Sequence, residues 1–189
     1  MIQLILFIIL SVSDSTFIVK DYAFRNDTLF INCWSAISEE NLRHYLDIID
    51  NVNPKVIYLR INSYGGEPFS AKNFAKTLSL MNVEVITESH GIVSSAGFIL
   101  YLTGRKRIAS SHTLFFIHCI QTLTLGFLNP VDLDKRTRNL TKIQKEFNEF
   151  ISEKLDIPVE VVDSLSRNET WLNGREAMKF NIVTELKEE

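Results

Sequence analysis

Hydrolysis of an amide needs a nucleophile, a base to take its proton, a group that orients the base, and donors aimed at the oxygen where negative charge develops. This sequence holds a candidate for each. Ser95 lies in Gly91-Ile-Val-Ser-Ser-Ala-Gly97, a run of small side chains where an extended segment gives way to an apolar stretch. A serine there stands at a helix N-terminus, with unpaired backbone N–H groups beside its hydroxyl. The same Ser-Ser pair also reads as an ordinary helix cap, a position serine favours for its own hydrogen bond. His118 ends the apolar run Leu114-Phe-Phe-Ile117. An imidazole is the common general base near neutral pH, although a histidine behind four apolar residues also reads as a satisfied core residue. Of the other histidines, His44 falls on a helix face, His90 beside a loop and His112 in a turn.

The donors for a developing oxyanion have their own signal. Gly65 and Gly66 close the stretch Ile61-Asn-Ser-Tyr-Gly-Gly66, and residues without a Cβ let main-chain N–H groups approach a bound peptide. A plain turn is the competing reading. Val93, not glycine, stands two residues before Ser95, so the segment is not the Gly-x-Ser-x-Gly elbow of the α/β-hydrolases.

The elements that must position these residues alternate short β-branched runs with amphipathic stretches, the pattern of a βαβ-type core. Leu29 to Asn32 is a short apolar run. Ser38 caps a helix whose Leu42, Tyr45, Leu46 and Ile49 recur at helical spacing, with Ile37 and Leu42 placed as a hydrophobic staple. Lys55 to Ile61 reads as a strand buried on both faces. The stretch after Pro68 resumes the helical period through Ala71, Phe74, Ala75, Leu78 and Met81, and Val83 to Thr87 is the next strand. Phe98 to Leu102, apolar all round, suits a helix only if that helix is fully buried. Leu114 to Ile117 is a strand leading to His118. Val131 to Leu155 forms a long amphipathic helix with Leu133, Leu140, Ile143, Phe147, Phe150 and Leu155 on one side. Pro158 opens a further short helix, Arg175 to Phe180 is the last, and Asn181 suits the left-handed position after it.

Composition bounds the rest. A chain of 189 residues with 46% hydrophobic and 23% charged side chains is the size of one domain with one core. A formal charge of −3 offers no large positive field for phosphates, and Arg105-Lys106-Arg107 is too short a basic cluster to change that; nucleic acid is not an expected partner. No metal or cofactor is called for. Cys33 and Cys119 form no disulfide framework, and their apolar settings fit a reducing compartment. The apolar start, MIQLILFIIL, has no Lys or Arg before it and is too short to span a bilayer, and only Ser11, Val12 and Ser13 resemble a cleavage site. Residues 1–28 are expected to pack against this or a neighbouring subunit rather than serve as a secretory signal, residues 29–189 to form the domain, and the chain to be cytoplasmic with no membrane partner.

Taken together, Ile61-Asn-Ser-Tyr-Gly-Gly66, Gly91 to Gly97 and Leu114-Phe-Phe-Ile-His118 resemble the Clp protease proteolytic subunit (ClpP) family in order, content and spacing. In that family an Asn-Ser-Pro-Gly-Gly loop precedes a Gly-x-Ala-Ala-Ser-Met-Gly segment, and a catalytic histidine ends an apolar strand about two dozen residues beyond the serine. Here His118 follows Ser95 by 23 residues. The likeness runs from about Leu29 to Val183. It implies Ser95 as nucleophile, His118 as base, and the N–H groups of Gly66 and Ala96 as the oxyanion hole. The third member is the weakest match. Trp171-Leu-Asn-Gly-Arg-Glu-Ala177 sets Glu169 where the family has an aspartate, with Asp163 and Asn168 as lesser candidates and an exposed charge as the competing reading for Glu169. Tyr64 replaces the usual proline, Cys119-Ile120 the usual Gln-Pro, and Gln121 to Phe127, with only Gly126, a Gly-rich strand that lines the substrate channel.

The resemblance implies an α/β fold of ClpP/crotonase type, a spiral of ββα units with the Val131 to Leu155 helix projecting as a handle. It further implies a serine endopeptidase working in a tetradecamer of two heptameric rings of identical or paralogous subunits. An AAA+ ATP-dependent unfoldase would feed it unfolded proteins, since the chain has no phosphate-binding loop of its own. Two rivals stand beside this reading: a catalytically inactive ring subunit with an assembly or regulatory role, and an acyl-CoA hydratase or isomerase on the related crotonase fold.

Overall fold

The computed structural model describes residues 17–19, 21–122, 127 and 129–188. Strands β1 (Phe17–Val19), β2 (Tyr22–Arg25) and β3 (Thr28–Cys33) run antiparallel in turn. Asn26 and Asp27 both adopt positive φ between β2 and β3, the backbone that a two-residue hairpin turn requires and that short polar side chains tolerate. The described part of the N-terminal segment thus extends the sheet of the main domain; the apolar start of the chain lies outside the described residues.

From β3 onward the strands of the large sheet are parallel, and helices link the first three of them. Helix α1 (Glu39–Val52) starts where expected, with Ser38 Oγ accepting the Asn41 N–H at 3.3 Å, and it buries Leu42, Tyr45, Ile48 and Ile49. β4 (Val56–Ile61) follows. Contrary to the expectation of a strand covered on both sides, β4 buries Ile57, Leu59 and Ile61 while Val56 and Tyr58 are half-covered and Arg60 is exposed. The helices shield one face; on the other the Arg60 guanidinium lies over the rings of Phe30 and Tyr58, 5.3 and 5.7 Å from their centroids. Helix α2 (Pro68–Leu80) begins on a proline whose missing N–H costs nothing in a first turn, and it buries Ala71, Phe74, Ala75 and Leu78.

After β5 (Glu84–Ser89) the chain leaves the large sheet. β6 (Ile92–Ser94) starts a small one, helix α3 (Ala96–Tyr101) is buried on every side as its composition demands, and β7 (Lys106–Ser110) returns to pair with β5. β8 (Leu114–Ile117) then joins β6 in parallel. Helices α4 (Pro130–Leu155) and α5 (Val159–Arg167), strand β9 (Thr170–Asn173), helix α6 (Gly174–Met178) and strand β10 (Glu185–Lys187) complete the chain. The large sheet has the order β1-β2-β3-β4-β5-β7-β10 and the small one β6-β8-β9. After β5 the chain passes back and forth between the two sheets, β6, β8 and β9 falling in the small one and β7 and β10 in the large, as a ClpP/crotonase-type α/β fold requires. Asn181 takes the left-handed position after α6, as expected.

The apolar stripe of α4 is packed only in its second half. Phe147, Ile151 and Leu155 are buried, whereas Val131 and Leu133 are 60% and 56% exposed, so the first turns stand clear of the body. No helix among the described residues is long and apolar enough to cross a membrane.

Two buried charges tie the last strand to the sheet. The basic cluster is split by the fold: Lys106 pairs with Glu185 at 2.7 Å, while the Arg107 guanidinium turns inward and donates to the carbonyls of Gly104, Asn181 and Ile182. Burial pushes Arg107 below its ordinary value, and three carbonyl acceptors are what make a buried guanidinium tolerable. Glu88, also buried, accepts from Lys187 of β10 and from His90. Burial alone would raise this carboxyl; the hydrogen bonds from Lys187, His90 and Tyr58 outweigh it and hold it below the usual glutamate value. Stability from a carboxyl so depressed is complete above its unfolded value and is lost as the pH falls through the folded one. Glu88→Gln is therefore expected to cost about 1–3 kcal/mol in denaturant titrations at neutral pH. The gap from the parent should close as the pH drops below the glutamate range; a pH-independent gap would contradict the assignment.

Candidate active site

Three chain segments with no room for side chains between them converge at the start of α3. The first is the loop after β4. Ser63 donates its N–H to Ile92 O at 2.9 Å and accepts the Ser94 N–H on its carbonyl at 3.0 Å, while Asn62 Oδ1 accepts the Ile92 N–H at 3.0 Å. The loop is thereby stitched along β6. At its end Gly65 has φ +109 and Gly66 φ +150, values an L side chain rarely adopts. A Cβ on Gly65 would stand 2.6 Å from the Ser95 Cβ, and one on Gly66 would stand 2.1 Å from Ile37 O. The paired glycines are a packing requirement, not a plain turn.

The second segment carries Ser95. Its φ of 53 and ψ of −123 place a non-glycine residue in strained backbone between β6 and α3, a conformation of the kind that costs about 1–3 kcal/mol and survives only where the surroundings impose it. No side-chain hydrogen bond caps α3 from Ser95. The cap reading therefore fails, and the hydroxyl, half-buried, is left available. The sequence pattern lacked the glycine of a hydrolase elbow, yet the backbone makes a sharp strand-to-helix turn all the same, with Gly65 supplying the space from outside the segment.

The third segment is β8. Ser94 pairs with Phe116, and the Ser95 N–H points to Phe116 O at 3.4 Å. Two residues further along an extended strand the side chain returns to the same face, and that residue is His118. Its ring stacks on Phe116 with centroids 5.0 Å apart and planes at 20°, and Phe116 stacks in turn on Trp171 at 4.3 Å and 16°. The core-histidine reading fails as well, because His118 is half-buried and borders a cavity.

That cavity, about 210 Å³, is lined by Gly66, Ser95, Phe116, His118, Ile120 and Gln144 among others. It brings together the predicted nucleophile, base and one predicted donor. The N–H groups of Gly66 and Ala96 make no hydrogen bond among the described residues, and Gly66 lines the cavity, while Ala96 lies buried directly after Ser95. Oγ of Ser95 and the ring of His118 border the same space without a hydrogen bond between them in this structure, a looseness common before substrate enters.

Glu169 is placed differently from the other predicted residues. The antiparallel ladder of β8 and β9 ends with Ile117 opposite Thr170, and one more step of that register sets Glu169 across from His118. Its neighbourhood matches the expectation; its bonding does not. Glu169 is exposed, with φ 49, and no hydrogen bond joins it to His118. Asn168 bonds Ser164 Oγ at 3.3 Å, and Asp163 bonds Asn148 and Arg167. The Nδ1 of His118 instead meets the carbonyl oxygen of Cys119 at 2.7 Å. A carbonyl only accepts, so the proton of the neutral ring sits on Nδ1 and Nε2 keeps its lone pair. The sequence could not reveal a backbone acceptor, since any residue supplies one.

A thiol stands beside the imidazole, which raises the question of a cysteine nucleophile. Burial pushes Cys119 above the usual thiol value, and Cys119 lines a second cavity, of about 530 Å³, that does not include Ser95. A neutral, turned-away thiol is no activated nucleophile.

The comparisons with known proteins agree with this geometry. The Clp protease family model matches residues 30–189. The chain is 29% identical over 146 residues to the ATP-dependent Clp protease proteolytic subunit of Porphyromonas gingivalis, covering 76% of this chain and 64% of that one. It is 26% identical over 146 residues to the subunit of the same name from Streptococcus mutans, covering 76% and 74%. Proteolytic subunit 3 of Rhizobium meliloti is 26% identical over 132 residues, with 69% and 67% covered. With a family model spanning all but the first 29 residues, this chain belongs to the Clp protease family.

Proposed function

We propose that this chain is the serine endopeptidase subunit of an ATP-dependent Clp-type protease, with Ser95 as nucleophile, His118 as general base and the N–H groups of Gly66 and Ala96 as the oxyanion hole. The observation that carries the reading is the meeting, on one cavity, of an uncapped, backbone-strained Ser95 and a His118 whose Nδ1 is held by a backbone carbonyl. Family membership and three relatives named as proteolytic subunits support it.

In this mechanism Ser95 Oγ attacks the scissile carbonyl carbon while Nε2 of His118 takes its proton. The carbonyl oxygen becomes an oxyanion held by the two main-chain donors. As the C–N bond breaks, His118 gives the proton to the leaving amine, and Ser95 is left as an ester. A water molecule then loses a proton to His118 and attacks the ester carbon; as the ester C–O bond breaks, His118 passes that proton to Ser95 Oγ and the carboxylic acid product leaves. Each oxyanion donor contributes about 3–4 kcal/mol to such a step, more than any packing role of the same N–H.

The partners follow from the same family. The relatives' name describes an ATP-dependent protease, so an oligomer of these subunits working with a separate ATPase is proposed for this chain too. Two stacked heptameric rings of identical or paralogous subunits, joined through the exposed first turns of α4, and unfolded chains as substrate complete the proposal. Stacking would cover Val131 and Leu133, which the monomer leaves in water. The inactive-subunit reading has no support from the site, because nothing blocks Ser95 or His118. The hydratase reading leaves the Ser-His pair without a task.

A fluorophosphonate probe tests the enzyme directly. Labelling of the parent that disappears in Ser95→Ala, with the oligomer intact on gel filtration, is expected; equal labelling of both would remove Ser95 from the mechanism. Gly65→Ala should lower folding stability by about 1–3 kcal/mol and labelling by about a hundredfold, because the new methyl displaces the serine backbone. Unchanged labelling would mean that Gly65 and Ser95 are not packed as described.

A further inference from the structure

The acceptor that holds His118 is one half of a peptide group whose other half is also occupied. The Cys119 carbonyl accepts from Nδ1 of His118 at 2.7 Å, and the N–H on the far side of the same amide, that of Ile120, donates to Gln144 Oε1 at 2.6 Å. Gln144, on α4, uses its other end to donate from Nε2 to Asn148 Oδ1 at 2.7 Å. Asn148, buried within the protein, donates from Nδ2 to Asp163 Oδ1 at 3.1 Å, and the other oxygen of Asp163 accepts from Arg167 at 2.6 Å. Ser166 Oγ fills the remaining site on Asn148 at 3.4 Å.

Every amide in this chain points the same way. Ile120, Gln144 and Asn148 each donate toward the carboxylate of Asp163, and hydrogen bonds so aligned polarise one another, more strongly where water is excluded. The consequence at the near end is a more negative Cys119 carbonyl, a better acceptor for the Nδ1–H of His118. A carboxylate beside the ring would do the same work directly. Here the carboxylate is three amide groups away, and Glu169, the charge nearest by register, is exposed and makes no bond to the ring.

We infer that His118 is oriented by the Cys119–Ile120 peptide group, polarised by Asp163 through Asn148 and Gln144, and that Glu169 is not a member of the catalytic group. Gln144, Asn148 and Asp163 are positioning residues: none touches a substrate atom, and each acts through the peptide next to the base. The inference rests on the peptidase reading for its activity measurements but not for its structural one. It also gives Ile120 a reason to be other than proline, since proline has no N–H to offer Gln144.

The test uses the full-length protein with three substitutions and two readouts. Glu169→Gln should keep fluorophosphonate labelling within about threefold of the parent, with the same pH profile, whereas neutralising a direct triad acid lowers the rate by about ten thousandfold. Gln144→Met keeps the side-chain length and removes the acceptor; it should slow labelling by about ten- to a hundredfold, the loss expected for a hydrogen bond in a charged network. Gln144→Glu restores an acceptor for Ile120 and should recover part of that loss. The ¹⁵N shifts of His118 supply the readout that folding or packing alone would not move. Parent and Glu169→Gln should show the Nδ1–H form, and Gln144→Met a shift toward a mixture of tautomers. A large loss in Glu169→Gln, or a parent-like rate and parent-like spectrum in Gln144→Met, would overturn the inference. Absence of labelling in the parent would overturn the peptidase reading instead, and the ¹⁵N spectra would then still decide how the ring is held.

Discussion

The site depends on one constraint: the loop after β4 must lie against the start of α3 with no atoms between them. Gly65 makes this possible by presenting no Cβ to Ser95, and Gly97 does the same toward Ser63, whose carbonyl would lie 3.2 Å from an added Cβ. Hydrogen bonds from Ser63 and Asn62 to β6 then fix the loop in register. The strain at Ser95 is a product of that contact. A serine free to relax would turn its hydroxyl back to cap α3, as serines at helix starts commonly do; held at φ 53 it cannot, and the hydroxyl faces the cavity.

The same contact explains why the small sheet exists. β6 and β8 are short, and neither pairs with the large sheet. Their partnership sets Ser95 and His118 on neighbouring strands, with the Ser95 amide aimed at the carbonyl two residues before the imidazole. β9 closes the other edge and carries Trp171, which backs the Phe116 ring on which His118 lies. Aromatic faces stacked in this way limit the swing of the imidazole about its own axis. Strand pairing fixes the position of the ring and stacking fixes its plane; the backbone bond at Nδ1 fixes which nitrogen faces the serine.

Much of this was legible in the sequence, and what was legible has a common cause. Ser38, Pro68 and Asn181 act through local backbone chemistry, so their roles as cap, helix start and left-handed terminus could be read from neighbours alone. Ser95, His118 and the two glycines stand apart by type, but their roles come from the resemblance of three segments to the ClpP family, since each alone also reads as a cap, a core histidine or a turn. Lys55 to Ile61 reads as a strand covered on both faces, and β4 is not, because a largely apolar run looks alike whether its second face meets a helix or only rings and an arginine. Glu169 was located by register but not by bonding: sequence order predicts which residues stand across a ladder, not where a side chain one step beyond its end will turn. The Cys119 carbonyl had no signal at all. Gln144 and Asn148 did leave one, since two amides four residues apart, among Ile143, Phe147 and Ile151, interrupt the inward face of α4 and must satisfy each other or something nearby.

That interruption carries a cost that argues for its purpose. Burying Asn148 and half-burying Gln144 gives up the hydrophobic contact that leucine or methionine would make at the same places. A buried amide repays that only when its groups are paired, and here every donor and acceptor of the two side chains that faces inward has a partner. An apolar replacement would pack at least as well and leave the Ile120 N–H unsatisfied next to the base. The polar row on α4 is therefore better understood as holding a short piece of backbone than as holding the helix to the body, a task already done by Phe147, Ile151 and Leu155.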